Sequence, residues 1–160
     1  MCLEFPEDPT SWFLDRQFMF GDSLLVAPIF EESGDVEFYL PKGRWTNFFT
    51  NKTKDGPGWF KEKHNFDTLP LYVRENTILV LGKWHETRTV YDYSKGVEVC
   101  LYQTSPGAKT TLVDAEGEEI GVLKVGADGH LVDQEFLDGA WHVTKNGRST
   151  IKTGSKAIEG

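Results

Sequence analysis

The chain has 160 residues, 39% of them apolar, and a net charge of −8, so it can bury a core as one medium domain or two small ones. Lys and Arg are scattered rather than gathered on one element, which excludes the electrostatic footprint of a nucleic-acid binder. The longest apolar run, residues 24–30, is broken by Pro28 and too short to span a bilayer, and the start lacks the basic stretch and long apolar segment of a signal peptide, which points away from membranes and toward the cytoplasm.

In chain order, residues 8–17 are the one helical candidate: Asp8 suits a cap, Pro9 the first helical position, and Gly21 stands where the chain would turn away. Val36, Phe38 and Leu40 alternate with Glu37 and Tyr39 and predict a strand. Lys42-Gly43 is expected to turn the chain back into a second strand over residues 44–49, completing a hairpin. Short strands follow over residues 71–73, 77–81, 88–93 and 97–102, the last with Val97, Val99 and Leu101 alternating with Glu98, Cys100 and Tyr102. The same pattern continues over residues 110–113, 120–125, 130–136, 141–144 and 149–152. Gly117, Asp128-Gly129, Asp138-Gly139 and Asn146-Gly147 separate these strands, at points where a positive φ favours a tight turn. Regular short strands of this kind predict an all-β fold of two antiparallel β-sandwich units. The apolar pattern lapses around residues 82–87, the expected boundary, and residues 154–160 read as a frayed or truncated end.

Candidate chemistry is sparse. Cys2 and Cys100 lack CxxC spacing and read as free thiols. Gly21-Asp22-Ser23 has neither the G-x-S-x-G context of a nucleophile turn nor a nearby histidine. His64, His85, His130 and His142 fall on different expected elements without metal-ligand spacing. Trp12, Trp45, Trp59, Trp84 and Trp141 read as core or interdomain aromatics. Trp59, in the turn-rich stretch after Gly56-Pro57-Gly58, is the strongest candidate among them for stacking on a sugar ring. Asn51-Lys52-Thr53 is a glycosylation acceptor that matters only in a secreted protein. No cofactor and no catalytic, substrate-binding or metal-ligating residue is assigned.

The consecutive pieces LEFPEDP, LDRQFMFGDSLLVAPIF, DVEFYLPKGRWT and LPLYVRENTILVLG resemble the C-terminal region of family-31 glycoside hydrolases, most closely the α-xylosidase branch. The resemblance is tight from Leu3 to about Gly82 and looser beyond. It implies that residues 1–17 are the end of a (β/α)8 barrel, with Leu3 to Phe5 its last strand. Residues 18–82 would be a proximal β-sandwich and residues 83–160 a distal one, the latter possibly cut short.

In that family the chemistry is retaining hydrolysis by two carboxyl groups about 5 to 5.5 Å apart. No residue here matches the nucleophile or acid motif, so neither role is carried over. Asp15 and Asp22 flank turns or a possible helix end and read as structural. The resemblance thus implies an accessory portion of an α-xylosidase or α-glucosidase, inactive alone, whose partner is the catalytic barrel and which meets carbohydrate only through it. The alternative is a free-standing β-sandwich that binds carbohydrate or another protein. The residues ahead of the first strand discriminate: Leu3, Phe5, Trp12, Phe13 and Phe18 would pack on the barrel, and their exposure would forfeit roughly 8 to 15 kcal/mol. The isolated chain is therefore expected to self-associate through residues 1–17, as a homo-oligomer, or to leave them disordered.

Overall fold

Alternation of apolar and polar side chains produces strands along nearly all of the chain. The computed structural model describes residues 1–82, 96–114, 116–132, 137, 140–145 and 148–153. It separates into two units, Met1–Glu75 and Asn76–Gly160.

The first unit begins with hydrogen-bonded turns at Leu3 to Phe5 and a 3-10 helix, Pro9–Phe13, whose first free N–H, at Thr10, is capped by the Asp8 carboxylate at 3.0 Å. Five strands follow: β1 Phe18–Phe20, β2 Leu24–Val26, β3 Asp35–Asn47, β4 Thr53–Lys63 and β5 Leu71–Arg74, in the antiparallel order β1-β2-β5-β3-β4.

The turn expected at Lys42-Gly43 is not there. β3 runs on for 13 residues through a bulge between Leu40 and Gly43. Pro41 has no N–H to give the ladder, so the register slips at that point and the strand bends instead of reversing. The reversal comes after Asn47, whose Oδ1 accepts from the backbone N–H of Phe49 at 3.0 Å and of Thr50 at 2.9 Å. Opposite the bulge a Cβ at Gly56 would collide with the Pro41 carbonyl, so only glycine lets the two strands approach there.

The bend has a large consequence. Lys54 and Glu62 lie 8 positions apart on β4, about 27 Å along an extended strand, yet Lys54 Nζ sits 2.6 Å from Glu62 Oε1. The β3–β4 ribbon therefore folds over, and its first half packs on the rest of the same sheet. Phe38, Leu40 and Phe60 from the ribbon meet Leu25, Trp45 and Tyr72, with Phe38 and Tyr72 ring centroids 5.3 Å apart. One hydrogen-bonded sheet thus makes both layers of a sandwich.

The second unit holds β6 Thr77–Leu81, β7 Glu98–Tyr102, β8 Lys109–Val113, β9 Glu119–Val125, β10 Leu131–Val132, β11 Ala140–Lys145 and β12 Arg148–Thr153. They form two sheets, ordered β10-β9-β8 and β12-β11-β7-β6, in which β7 and β11 pair in parallel and the other pairs are antiparallel. Ile78, Val99 and Leu101 of one sheet and Leu112, Leu123, Val125 and Leu131 of the other form a single aliphatic core. The turn expected at Gly117 is closed by Asp114, whose Oδ1 accepts from the N–H groups of Glu116 and Glu118 at 3.0 and 2.8 Å. At Asp128-Gly129 the Asp128 carboxylate accepts from the His130 N–H at 3.0 Å, with Gly129 at φ 75°.

The units divide at Glu75, ahead of the expected boundary at Gly82, because residues 77–81 pair with β7 and so join the second unit. The strand expected over residues 88–93, the lapse beyond Gly82, the turns at Asp138-Gly139 and Asn146-Gly147, most of the end of the strand expected over residues 130–136, and residues 154–160 lie outside the described residues. Among the described residues no helix is long and apolar enough to cross a membrane.

Candidate functional site

The sheet of the first unit is apolar on both faces. Cross-strand register sets Met19, Leu25 and Tyr72 in one row, facing the core, and Phe18, Val26 and Leu71 in a row on the opposite face beside Phe20 and Leu24. On that second face Phe18 and Phe20 are 46% and 68% exposed. Leu3, Trp12 and Phe13 are exposed as well. The Trp12 Nε1–H is satisfied within the chain, by the Pro6 carbonyl at 3.2 Å, so what the indole presents outward is apolar surface.

The segment carrying these residues is tied to the ribbon. The Gln17 amide binds both backbone groups of Tyr39: Nε2 donates to its carbonyl at 2.7 Å, and Oε1 accepts from its N–H at 2.8 Å. A side chain thus stands in for a neighbouring strand and closes the free edge of β3. The Tyr39 hydroxyl donates to Asp8 at 2.8 Å, and Ser11 Oγ to the Phe5 carbonyl at 2.7 Å. Phe5, expected among the residues left bare, instead packs on Trp45 at 6.2 Å with the Arg74 guanidinium 5.0 Å from its ring centre. It reaches the core because the turns at its own position fold it back on the sheet.

Between residues 13–17, residues 28–31 and the outer face of the ribbon runs an open groove of about 730 Å3. The ribbon wall is regular. Tyr39 faces Trp59, Glu37 faces Lys61 and Asp35 faces Lys63 along one side. Trp59 lies in strand β4, not in a turn, and is 55% exposed with its ring 5.5 Å from that of Tyr39.

On the inner side of the ribbon stands a polar cluster that has no local sequence signature. Glu62 accepts from Lys54 Nζ and the Tyr72 hydroxyl, both at 2.6 Å, and lies 2.9 Å from His64 Nε2, whose Nδ1 is 3.0 Å from Thr68 Oγ1. The Lys54 ammonium lies 4.6, 5.4 and 5.6 Å from the ring centres of Phe60, Phe38 and Tyr72. Burial alone would raise the Glu62 carboxyl, but hydrogen bonds from Lys54, Tyr72 and His64 outweigh it and hold the group below its ordinary value. Burial and the bond to Glu62 push the Tyr72 hydroxyl up. A carboxylate so fully engaged is a weak base at neutral pH, and its effect is to pin the two halves of the folded ribbon together.

Other residues singled out in the sequence are dispersed. Asp22 is exposed in the turn after β1 and accepts from Ser23 Oγ at 2.6 Å, while exposed Asp15 lines the groove. Trp45 is fully buried and donates to the Pro41 carbonyl at 2.8 Å; His130 is exposed. Asn51 is exposed in the β3–β4 turn at φ 57°. Cys2 is exposed and Cys100 buried, both free, and burial with Glu98 beside it pushes the Cys100 thiol up to about 12. Among the described residues no cluster of three or more His, Cys, Asp or Glu is arranged to hold a metal ion. Trp84 and His85, and the side chains of Trp141 and His142, lie outside the described residues.

Residues 1–79 match the family described as the glycosyl hydrolase family 31 C-terminal domain. Alpha-xylosidase XylQ of Lactiplantibacillus pentosus is 37% identical over 137 residues, covering 82% of this chain and 18% of its own length. An alpha-xylosidase of Emericella nidulans is 44% identical over 86 residues, 49% of this chain and 11% of its own. The chain therefore spans less than a fifth of these relatives. Among solved structures, a family 31 dextranase of Flavobacterium johnsoniae superimposes with a TM-score of 0.65 at 19% identity, over 90% of this chain and 21% of the dextranase, a likeness of fold.

Proposed function

The chain belongs to glycosyl hydrolase family 31 as a C-terminal region of it, and from that premise we propose that it is the accessory β-portion of a retaining α-glycosidase, bracing a catalytic (β/α)8 barrel and shaping the rim of its active site. The parent activity is hydrolysis of terminal non-reducing α-linked xylose, with glucose second, as the two α-xylosidase relatives suggest. The observation that carries the bracing role is the second apolar face of the sheet. Phe18 and Phe20 on that face are exposed, Leu3 and Trp12 of the segment ahead of it are exposed as well, and a sheet apolar on both sides calls for a partner where its second face is left bare.

The chain's own part in the reaction is positional. Retaining hydrolysis needs two carboxyl groups across the scissile bond, and this sequence matches neither motif that supplies them, so those groups belong to the barrel. A rigid platform behind a barrel fixes the loops that carry such groups, where small displacements cost rate steeply.

The test is a chimera in which this chain replaces the corresponding region of the Lactiplantibacillus pentosus alpha-xylosidase. Hydrolysis of p-nitrophenyl α-xyloside by the chimera, absent from the 160-residue chain alone, is the expected result. Turnover by the chain alone would overturn the accessory reading, and a folded but inactive chimera would overturn the bracing role.

A further inference from the structure

The groove holds a feature that bracing a barrel does not require. We propose that the outer face of the β3–β4 ribbon, centred on Trp59, is a binding platform for a neutral oligosaccharide of two or three pyranose units.

Three properties of the platform carry this. First, the Trp59 ring is supported and open: it lies 5.5 Å from the Tyr39 ring at an interplanar angle of 57°, and more than half of the residue faces solvent. An edge strand otherwise protected by charge gains nothing in stability from a bare indole, whereas the apolar face of a pyranose gains a stacking surface. Second, the next two positions along the ribbon are matched pairs. Lys61 Nζ lies 3.3 Å from Glu37 Oε1, and Lys63 stands directly opposite Asp35. Where a carboxylate stands beside an ammonium, the carboxylate accepts from one hydroxyl of a vicinal diol and the ammonium donates to the other, with no net charge to be matched by the ligand. Third, side chains two residues apart on a strand are about 6.7 Å apart, so the indole and the two pairs form a linear series on the scale of successive sugar units.

The opposite wall suits the same ligand. Phe30 is exposed, the Arg16 guanidinium lies 5.8 Å from its ring centre, and Arg16 also pairs with Glu31 at 3.7 Å. The carboxylates of Asp15, Glu31, Asp35 and Glu37 outnumber the cations Arg16, Lys61 and Lys63 along the groove, which disfavours phosphates and other anions and leaves a neutral polyol.

The platform goes beyond the bracing role and is tested on this chain alone, so a failed chimera leaves it standing and a failed titration leaves the bracing role standing. The experiment titrates the 15N-labelled chain with maltotetraose, isomaltotriose and cellotetraose in turn, following the Trp59 Nε1–H resonance. At least one of them is expected to give a saturable shift in the millimolar range. Trp59→Ala is expected to weaken binding at least tenfold while its spectrum stays that of a folded chain, and Trp59→Phe to keep most of it. Because Trp59 is exposed on an edge strand, the double variant Glu37→Gln with Lys61→Met serves as a second test that leaves the indole in place, and it is expected to weaken binding as well. Absence of a saturable shift with all three sugars, an equal shift from glycerol at matched hydroxyl concentration, or unchanged affinity in the folded Trp59→Ala variant would overturn the proposal.

Discussion

The second unit closes an aliphatic core between two separate sheets, whereas the first folds one long ribbon over its own sheet and keeps aromatic side chains on the outside. Among the described residues, the second unit's exposed large apolar side chains are Val113 and Val122, at 38% and 37%. Those of the first include Leu3, Trp12, Phe13, Phe18, Phe20, Phe30 and Trp59. In their described residues the two units, similar in strand content, thus differ in where their apolar side chains go. Among the described residues the second unit leaves little large apolar surface bare, and the first leaves a good deal.

The strongest way to break this comparison is in the cores. Trp45→Ala removes the fully buried indole on which Phe5 packs and is expected to cost about 3–5 kcal/mol, and Leu123→Ala in the second unit about 2–5 kcal/mol. Urea unfolding followed by methyl and aromatic resonances of each unit reads both; a cost below about 1 kcal/mol at Trp45 would mean that the folded ribbon is not the first unit's core.

A smaller effect follows from Glu62. Its carboxyl is held below the ordinary value in the folded state, so the stability it contributes is present above the unfolded value, 4.5, and is lost as pH falls through the folded one. The first unit is therefore expected to lose stability between neutral pH and acid, with Glu62→Gln flattening that dependence. Melting scans across that range check it, and an unchanged acid slope in the variant would remove Glu62 as its source. His64 sits on the same carboxylate at 2.9 Å and Lys54 at 2.6 Å, so both share in the cluster that the titration disrupts.

The smallest effect on stability is expected at the exposed face. Phe18→Ser with Phe20→Ser should shift the midpoint by about 0.5 kcal/mol or less per site while lowering the binding of an apolar dye. A large loss of stability would show that this face is core to the unit and not an interface.

Much of the architecture was legible because strand alternation and turn chemistry are local. Asp8 before Pro9 caps a single short helix, Val97, Val99 and Leu101 alternate into the second core, and Gly117 and Gly129 close turns with Asp114 and Asp128. The bulge was not legible: Lys42-Gly43 carries the chemistry of a turn, and whether it turns or bulges depends on the pairing of the strand opposite. The Glu62 cluster was missed for a related reason. Its one local trace is the placing of Lys54 and Glu62 on the inward register of β4, alongside Phe60, where charge needs a partner. That partner becomes visible only once the strand is bent.

The all-β class, the family and most of the second unit's described strands could be read from the sequence, since these rest on spacings within a few residues or on blocks in order. Only the folded chain settled that one ribbon makes both layers of the first unit, that Glu62 meets Lys54 across 8 positions of one strand, that Phe5 is packed while Phe20 is bare, and that Trp59 stands open on a strand. Those outcomes depend on which strands pair and where a strand bends, and long-range pairing is a sum over many weak contacts that no short stretch of residues encodes.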